Sequence, residues 1–308
     1  MRRLVAGVDL GGTGCRFVTW AGGQVVTSRT YPTASFACGG ADARLARLVG
    51  AIVGSVANGD SLEAVGIGAS GPVDTGAGMI LNPDTLPMFS GVPLVSQLQA
   101  RLGIPVVIDN DAVTAAIAEH RLGAGMGAAR MLMVTLGTGI GVAFLAGGTP
   151  FRGPGGAHPE GGHFPIHGGS GRCYCGAEGC WEVMASRTAL QASLRDRLPP
   201  DVAPAEILPA ALVKADQDPA VAAAFESYGG HVGRGLAVLH TLYMPEVTVL
   251  GGSAAAYLSR FAGALEVALA RAPGFTVNSA IRDAALGDQA GAIGGALIAE
   301  RILGDGVG

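Results

Sequence analysis

Residues 4–23 read LVAGVDLGGTGCRFVTWAGG. Two mostly apolar runs, at residues 4–9 and 15–20, flank a glycine turn at 11–14, and this pattern predicts two short strands. An Ala-Gly-Gly turn then leads into a third predicted strand at residues 24–30. Short strands joined by glycine turns are typical of β-hairpins, so we expect this stretch to form one.

The same order of elements returns later in the chain. Residues 135–148 read TLGTGIGVAFLAGG, so a glycine turn, an apolar strand and an Ala-Gly-Gly turn again follow one another. A period of about 125 residues is too long for a solenoid repeat. The repetition therefore predicts two similar α/β halves that face each other.

The remaining elements are predicted from the spacing of apolar residues. Helices are expected at residues 41–57, 94–102, 112–122, 181–198, 206–215, 220–243, 257–271 and 290–302. Further strands are expected at residues 64–69, 106–108, 142–145 and 247–250. Residues 153–171 are rich in Gly, His and Pro and show no regular pattern. Long irregular loops in compact domains are usually functional, so we expect this one to carry part of a site.

Composition excludes several classes of protein. The chain has 308 residues, 49% of them hydrophobic and 14% charged, with a formal net charge of −4. This length suggests two domains, and the composition excludes intrinsic disorder. Without a basic stripe, a long apolar span or a signal peptide, we expect no nucleic-acid or membrane partner and a cytoplasmic location. Lys214 is the only lysine, which excludes a P-loop nucleotide site.

The first glycine turn suits a phosphate group. Asp9 ends the first predicted strand and enters the turn at residues 11–14. Glycines let backbone N–H groups approach an anion closely, and an adjacent aspartate suits Mg²⁺. A plain hairpin with an incidental aspartate is the alternative. The second turn, at residues 136–141, offers the same chemistry, and two turns in matching positions favour a phosphate clamp.

A polar cluster ends the strand predicted at residues 106–108. Its residues are Asp109, Asn110 and Asp111, and a predicted helix follows at Ala112. Asp111 suits the role of general base on a substrate hydroxyl, and Asn110 suits a hydrogen bond to a neighbouring hydroxyl. Helix capping is the alternative, but it needs only one of the three residues.

Three of the five cysteines lie within eight residues, in the sequence CYCGAEGC at 173–180. Together with one histidine, Cys173, Cys175 and Cys180 make a tetrahedral set that zinc prefers, with no position left open for water. We therefore expect a structural zinc ion rather than free buried thiols. Candidates for the fourth ligand are His158, His163 and His167. No role is assigned to Cys15 and Cys38.

Two glutamates lie close to this cysteine segment. Glu160 precedes His163 by three residues, and Glu182 follows Cys180 by two. A zinc ion would bring both carboxylates near one point, where they suit vicinal sugar hydroxyls. The alternative is that both are solvated surface acids.

A third glycine segment, Gly251-Gly252-Ser253, follows the strand predicted at residues 247–250. Glycines at a strand end allow a flat ring or a ribose to lie against the backbone. A plain turn between strand and helix is the alternative.

Together these motifs resemble the ROK family (repressor, open reading frame, kinase) of sugar kinases and sugar-responsive regulators. The resemblance covers nearly the whole chain. In order, its segments are DLGGTG at 9–14, GASGPVD at 68–74, NPDTLPMF at 82–89, DNDA at 109–112, GTGIG at 137–141, EGGH at 160–163, CYCGAEGCWE at 173–182 and LGGS at 250–253.

The resemblance implies an actin-like ATPase (ribonuclease H-like) fold, in which two duplicated α/β domains enclose a cleft. The smaller domain would comprise residues 1–112 plus about 290–308. The larger domain would comprise residues 113–289 and contain the zinc segment. A homodimer is also implied.

The resemblance also implies the residues of each site. ATP with Mg²⁺ would be held by Asp9, Gly11, Gly12, Thr13, Gly14, Gly137, Thr138, Gly139, Gly251 and Gly252. A hexose would be held by Gly71, Asn82, Asn110, Asp111, Glu160, His163 and Glu182, with Asp111 as the base. His163 would ligate zinc beside Cys173, Cys175 and Cys180 and contact the sugar with its other ring nitrogen.

The expected activity is ATP-dependent phosphorylation of a hexose, at the 6-hydroxyl of glucose or a related aldohexose. Gly14 stands where many family members have lysine, so phosphate contacts there would come mostly from the backbone. Residues 157–160 read AHPE, where glucokinases of the family often have Ala-Gly-Glu. The alternatives are therefore fructokinase, allokinase and kinases of N-acetylmannosamine or N-acetylglucosamine.

Three other functions are weaker interpretations. A polyphosphate-dependent glucokinase would tend to lack the three-cysteine segment. A sugar-responsive regulator would need a DNA-binding module, and the turn that starts at Asp9 leaves no room before it for a helix-turn-helix. A zinc-stabilised protein that binds sugar without catalysis is the third alternative.

Overall fold

The computed structural model describes residues 3–57, 59–272 and 279–305. The strands are β1 (Arg3–Leu10), β2 (Gly14–Ala21), β3 (Gln24–Pro32), β4 (Ser61–Ala69), β5 (Val73–Asp74), β6 (Met79–Ile80), β7 (Val106–Asn110), β8 (Arg130–Leu136), β9 (Ile140–Ala146), β10 (Thr149–Pro150), β11 (Val247–Gly251) and β12 (Ala280–Asp283). The helices are α1 (Ala41–Gly54), α2 (Leu94–Leu102), α3 (Asp111–Leu122), α4 (Trp181–Ala185), α5 (Arg187–Arg195), α6 (Ile207–Lys214), α7 (Pro219–Tyr243), α8 (Leu258–Ala270) and α9 (Ala290–Asp305).

Two five-stranded sheets share one topology. The first has the order β3-β2-β1-β4-β7, and the second has the order β10-β9-β8-β11-β12. Numbered by their appearance along the chain, the strands of both sheets follow the order third, second, first, fourth, fifth. In each sheet the first strand pairs in parallel with the fourth, and the fourth with the fifth. This identity of topology confirms the duplication predicted from the two glycine turns.

The chain divides into two compact units. Unit 1 comprises Met1–Gly127, Ala143–Pro159 and Ala285–Gly308, and unit 2 comprises Ala128–Val142 and Glu160–Ala284.

In unit 1, helices cover both faces of the first sheet. On one face, Val8 of β1 belongs to a buried cluster with Leu48 of α1 and Leu98 of α2. On the other face, Val5 of β1 belongs to a cluster with Ala296 of α9. Because neighbouring strand residues point to opposite faces, burial on both sides explains why β1 is apolar throughout rather than alternating.

Helix α9 lies unusually close to the first sheet. A Cβ atom added to Gly7 of β1 would lie 1.9 Å from the carbonyl oxygen of Ala292, a distance that real side chains do not adopt. Glycine at this position therefore allows the helix backbone to rest directly on the strand.

In unit 2, the prediction of one continuous helix at residues 181–198 is wrong. The structure has two helices, α4 and α5, with Ser186 between them in an extended conformation at φ −74° and ψ 165°. The Ser186 hydroxyl accepts a hydrogen bond of 3.2 Å from the backbone nitrogen of Ala189. Ser186 is therefore the N-cap of α5, a role that serine favours and that the continuous apolar spacing concealed.

Four short strands also escaped prediction from the sequence. Strands β5, β6 and β10 have two residues each, and β12 has four, which is too short for a periodic pattern to appear. The expectation of irregular structure at residues 153–171 is confirmed, since the only helical turn there is a short 3₁₀ turn at Pro154–Gly156. Within the described ranges, no helix has both the length and the apolar character needed to cross a bilayer.

Candidate active site

The first glycine turn connects β1 to β2 in unit 1. It is closed by a hydrogen bond of 3.1 Å from the Gly11 nitrogen to the Gly14 oxygen. Thr33, which follows β3, holds the turn from the side. Its hydroxyl donates to the Gly11 oxygen at 2.6 Å, and its nitrogen donates to the Thr13 oxygen at 3.2 Å. The turn predicted to bind phosphate is therefore a fixed structure.

Asp9 lies near the end of β1, directly before this turn, with its side chain 14% exposed. Burial, and then the charge of Asp111, raise the pKa of Asp9 to about 7, while Arg16 opposes the shift. An Arg16 nitrogen lies 3.7 Å from an Asp9 carboxylate oxygen, and another donates to Asp288 at 2.8 Å. A buried carboxylate close to a second one is the arrangement that a divalent cation stabilises.

Asp111 is the first residue of α3, directly after β7. The helix is capped by Asn110, whose side-chain oxygen accepts hydrogen bonds from Ala112 and Val113 at 2.9 and 3.2 Å. One carboxylate oxygen of Asp111 accepts from the Ser70 hydroxyl at 2.9 Å, and the other from the Ala112 nitrogen at 2.8 Å. Capping thus explains Asn110 and leaves the oriented carboxylate of Asp111 to be explained by function.

Asp109 has a structural role that sequence analysis missed. Its buried carboxylate forms an ion pair with Arg152, in which one nitrogen lies 3.2 Å from Oδ1 and the second nitrogen contacts Oδ2. Arg152 also donates to the Gly156 oxygen at 3.2 Å. The pair therefore fastens the irregular loop to the end of β7, and its separation of 43 residues in sequence left no local signal.

Gly71 and Asn82 lie together in unit 1. The Asn82 amide donates to the Gly71 oxygen at 2.6 Å, and its side-chain oxygen accepts from the Thr85 nitrogen at 3.0 Å. A Cβ atom added to Gly71 would lie 2.8 Å from both the Asn110 side-chain nitrogen and the His158 Nε2. The structure thus brings Gly71, Asn82 and Asn110 into one region, with the Asn82 side chain engaged in holding its own loop.

The second glycine turn lies between β8 and β9, in unit 2. It is closed by a hydrogen bond of 3.0 Å from the Gly137 nitrogen to the Gly139 oxygen. Glu182 of α4 accepts from the Ile140 nitrogen at 2.8 Å, and a Cβ atom on Gly139 would lie 2.2 Å from the same carboxylate oxygen. Glu182 is therefore in direct contact with the turn, which the sequence did not indicate.

Residues of two other elements also contact this turn. The backbone nitrogen of Arg187 donates to the Gly137 carbonyl oxygen at 2.8 Å, and the Thr188 hydroxyl donates to the Thr138 carbonyl oxygen at 2.8 Å. Gly252, after β11, has a φ of 81°, and a Cβ atom there would lie 2.7 Å from the Leu136 backbone. The glycine segment predicted at the nucleoside is thus adjacent to the turn predicted at the phosphates.

The four predicted metal ligands form one group in unit 2. The ligand atoms of His163, Cys173, Cys175 and Cys180 all lie within 4.8 Å of one another. The Cys175 and Cys180 sulfurs are 3.6 Å apart, and the Cys173 sulfur is 3.4 Å from His163 Nδ1. Three thiols and one imidazole at these distances suit a tetrahedral zinc ion. Of the three candidate histidines, only His163 lies in the group, whereas His158 lies beside Gly71.

The other ring nitrogen of His163 faces polar groups. Its Nε2 lies 3.0 Å from the Tyr174 hydroxyl and 4.0 Å from a Glu160 carboxylate oxygen. Burial raises the pKa of Glu182, and Glu160 raises it further, whereas the Ile140 N–H and His163 lower it. Glu160 and His163 therefore lie close enough to Glu182 for their charges to act on its carboxylate. Tyr174, between two of the cysteines, gave no signal in the sequence.

Comparisons with known proteins agree with these motifs. A model of the ROK family matches residues 5–302. A glucokinase from Streptomyces coelicolor is 33% identical over 267 residues, which are 81% of this chain and 81% of that enzyme. A ROK family glucokinase from Streptomyces griseus, in complex with glucose and AMPPNP, has a TM-score of 0.83 at 28% identity and covers 97% of this chain and 99% of its own. The xylose repressor of Bacillus subtilis is 28% identical over 192 residues, which are 62% of this chain and 48% of the repressor.

The two sheets of identical topology and the similarity to ROK sugar kinase structures establish an actin-like ATPase fold with two duplicated α/β domains. The family model spans almost every residue from β1 to α9, the elements that carry all the predicted motifs. The chain belongs to the ROK family.

Proposed function

We propose that this ROK protein is a sugar kinase, which transfers the γ-phosphoryl group of ATP to the 6-hydroxyl of glucose or a related aldohexose. The observation that carries the proposal is the carboxylate of Asp111, which begins α3 and is oriented by Ser70 while Asn110 caps the helix. The glucokinase relatives, and the neighbour solved with glucose and AMPPNP, support the same reaction.

In this mechanism Asp111 is the general base. Its carboxylate accepts the proton of the sugar hydroxyl as the oxygen attacks the γ-phosphorus. The Ser70 hydroxyl donates to one carboxylate oxygen and so fixes the plane of the group. Most of the rate enhancement in phosphoryl transfer comes from such positioning and from electrostatic stabilisation.

The phosphate chain is held by the glycine turns. In unit 1, the residues assigned to ATP and Mg²⁺ are Asp9, Gly11, Gly12, Thr13 and Gly14. In unit 2, the residues assigned to ATP are Gly137, Thr138, Gly139, Gly251 and Gly252. Asp9 fits a Mg²⁺ ion because it is a buried carboxylate with the charge of Asp111 nearby. When bound, Mg²⁺ neutralises charge that develops on the phosphate oxygens.

The sugar is held by carboxylate, amide and imidazole groups. We assign its hydroxyls to Gly71, Asn82, Asn110, Asp111, Glu160, His163 and Glu182. His163 Nδ1 and the three cysteines would hold a zinc ion, which would fix the imidazole ring and leave Nε2, beside Glu160, for the sugar. Mg²⁺ dependence, a homodimer and a cytoplasmic location stay predictions.

The test is release of ADP from MgATP with glucose, mannose, fructose, allose, N-acetylglucosamine and N-acetylmannosamine. We expect turnover with one aldohexose, and Asp111→Asn should reduce kcat about 10²- to 10⁴-fold, the usual contribution of a general base. Asp74→Asn is the matched control, because this partly buried aspartate of β5 lies outside the assigned site residues, and the amide preserves the oxygen that accepts from the Ala77 nitrogen at 2.8 Å.

The same panel separates the alternatives. Preference for fructose, allose or an N-acetylated sugar would change the substrate and keep the reaction. A folded protein that binds sugar and releases no ADP would overturn the proposal of kinase activity and favour sugar binding without catalysis. The similarity to xylose repressors supports that alternative.

A further inference from the structure

Arg187 contacts two parts of the candidate nucleotide site in unit 2. It is the first residue of α5, and its backbone nitrogen donates to the Gly137 oxygen at 2.8 Å. One guanidinium nitrogen donates to the Thr138 hydroxyl at 3.1 Å, and the other to the Ser253 hydroxyl at 3.4 Å. The guanidinium therefore lies between the second glycine turn and the glycine segment that follows β11.

Among the residues that the structure describes, none supplies a counter-charge to Arg187. Both side-chain partners are neutral hydroxyl groups, and no carboxylate within the described ranges forms an ion pair with it. Its Nε is buried and has no hydrogen-bond partner among the described residues. A partly buried guanidinium usually pairs with an anion, so this arrangement fits an anionic ligand.

The composition of the chain makes arginine the expected source of such a charge. Lys214 is the only lysine, and it pairs with Asp218 at 3.0 Å in another part of unit 2. In the first turn, Gly14 has no side chain to offer. Arginine also suits phosphate because its planar group presents several donors at fixed angles.

We propose that Arg187 binds a phosphate oxygen of the nucleotide and thereby sets the preference for nucleoside phosphates over the bare nucleoside. This assignment rests on the proposed function, because it takes the second turn and Gly251–Gly252 as the nucleotide site. Thr138 and Ser253 act as positioning residues, which hold the guanidinium at the junction between the two segments.

A purely structural role for Arg187 predicts a different result. If the side chain only tied the turn to the end of β11, its loss would weaken adenosine, AMP and ADP to the same extent. If Arg187 contacts a phosphate group, its loss instead weakens the binding of AMP and ADP and leaves the binding of adenosine unaffected. Direct binding of the three ligands, measured by calorimetry with Mg²⁺ present, separates the two roles without relying on turnover.

The variants are Arg187→Gln, Arg187→Met and Arg187→Lys. We expect the first two variants to weaken ADP binding about 10- to 100-fold, since one charge-assisted hydrogen bond is lost. Their adenosine binding should change less than twofold. The methionine variant keeps the packing of the aliphatic stem, so it gives the answer if the glutamine variant does not fold. Arg187→Lys should recover part of the ADP affinity because it keeps the charge.

Arg195→Gln is the matched control. Arg195 lies on the same helix, but its guanidinium donates to the carbonyl oxygens of Pro199 and Val202. We expect this variant to bind all three ligands like the wild type. ADP affinity within twofold of wild type in the Arg187 variants, or equal weakening of ADP and adenosine, would overturn the assignment alone. Failure of the wild type to bind any adenine nucleotide would overturn both the assignment and the proposed function.

Discussion

The Oε2 atom of Glu182 lies 2.8 Å from the backbone nitrogen of Ile140. This hydrogen bond connects the end of the cysteine segment to the second glycine turn, because Glu182 follows Cys180 by only two residues. The Cys180 sulfur itself lies 3.1 Å from the His163 carbonyl oxygen. The candidate zinc centre is therefore part of the framework that shapes the candidate nucleotide site.

The first prediction concerns the metal. We expect one zinc ion per chain by elemental analysis, and we expect Cys180→Ser or removal of zinc by a chelator to lower Tm by roughly 5–10 °C. ADP binding should weaken in parallel, because Glu182 loses its fixed position beside the turn. Cys38→Ser is the control, since this cysteine is exposed and lies outside the group. A chelated protein with unchanged Tm and ADP affinity would contradict the prediction.

The second prediction separates the two roles assigned to Glu182. Glu182→Gln keeps an oxygen that can accept from Ile140, so ADP affinity should stay within about threefold, whereas the KM for the sugar should rise about 10-fold or more because a charged acceptor is lost. Glu182→Ala removes both the contact with Ile140 and the contact with the sugar, so it should weaken the binding of ADP and of the sugar together. Steady-state kinetics and ADP calorimetry provide the two readouts.

Glu178→Gln is the matched control for these variants. Glu178 is an exposed glutamate of the same cysteine segment, so its neutralisation should leave both ligands unaffected. A glutamine variant of Glu182 with normal sugar kinetics would show that the carboxylate serves the turn alone.

The third prediction concerns the cost of burying Asp9. Because its pKa is about 7 in the folded protein and near 3.8 in the unfolded chain, the folded state favours the protonated form. The associated stability is present at low pH and is lost as pH rises from about 4 to 7. We therefore expect Asp9→Asn to raise the Tm of the Mg²⁺-free protein at pH 8 by several degrees, while it abolishes turnover.

The difference between this variant and the wild type should shrink as pH falls towards 4. Added Mg²⁺ should stabilise the wild type at pH 8 and leave Asp9→Asn nearly unchanged, because the ion then has no buried carboxylate to pair with. Equal Tm values for the two proteins at pH 8 without Mg²⁺ would contradict the prediction. Thermal unfolding followed by circular dichroism at pH 5 and pH 8 is the measurement.

Local patterns in the sequence predicted the features that depend on neighbouring residues. The strands and turns between residues 4 and 30 were predicted because glycines separate short apolar runs. The four candidate metal ligands were predicted as a group because three of them lie within eight residues. The choice of His163 over two other histidines depended on the resemblance to the family, since spacing alone permits all three.

Contacts between distant residues could not be predicted in this way. The Ser70 hydroxyl meets Asp111 across 41 residues, and Arg187 meets Ser253 across 66. Such pairs depend on how strands and helices pack, and a side chain that serves a distant partner leaves no periodic trace near its own position. The break between α4 and α5 was missed for the opposite reason, because apolar spacing continues through Ser186 although its hydroxyl caps a new helix.

The last prediction concerns a buried histidine far from the candidate catalytic groups in sequence. His240 of α7 is 1% exposed, and its Nε2 lies 2.8 Å from the Thr248 hydroxyl, which in turn lies 2.8 Å from the Ser279 hydroxyl. Burial lowers the pKa of His240 to about 4, from 6.5 in the unfolded chain. The unfolded chain thus binds the proton more readily, and stability is complete above about pH 6.5 and is lost as pH falls towards 4.

The lowered pKa of His240 corresponds to a loss in the free energy of unfolding of roughly 3 kcal/mol once the pH is well below 4, and of about 2 kcal/mol at pH 5. His240→Gln should lose stability at pH 7.5, because the amide fits the site less well, but its stability should fall less steeply between pH 7.5 and pH 5 than that of the wild type. Urea unfolding at the two pH values measures both slopes, and the carboxylates common to the two proteins cancel in the comparison. Parallel losses in wild type and variant would show that the pKa of His240 is not lowered in the folded protein, and that the hydroxyl chain to Ser279 tolerates the charged ring.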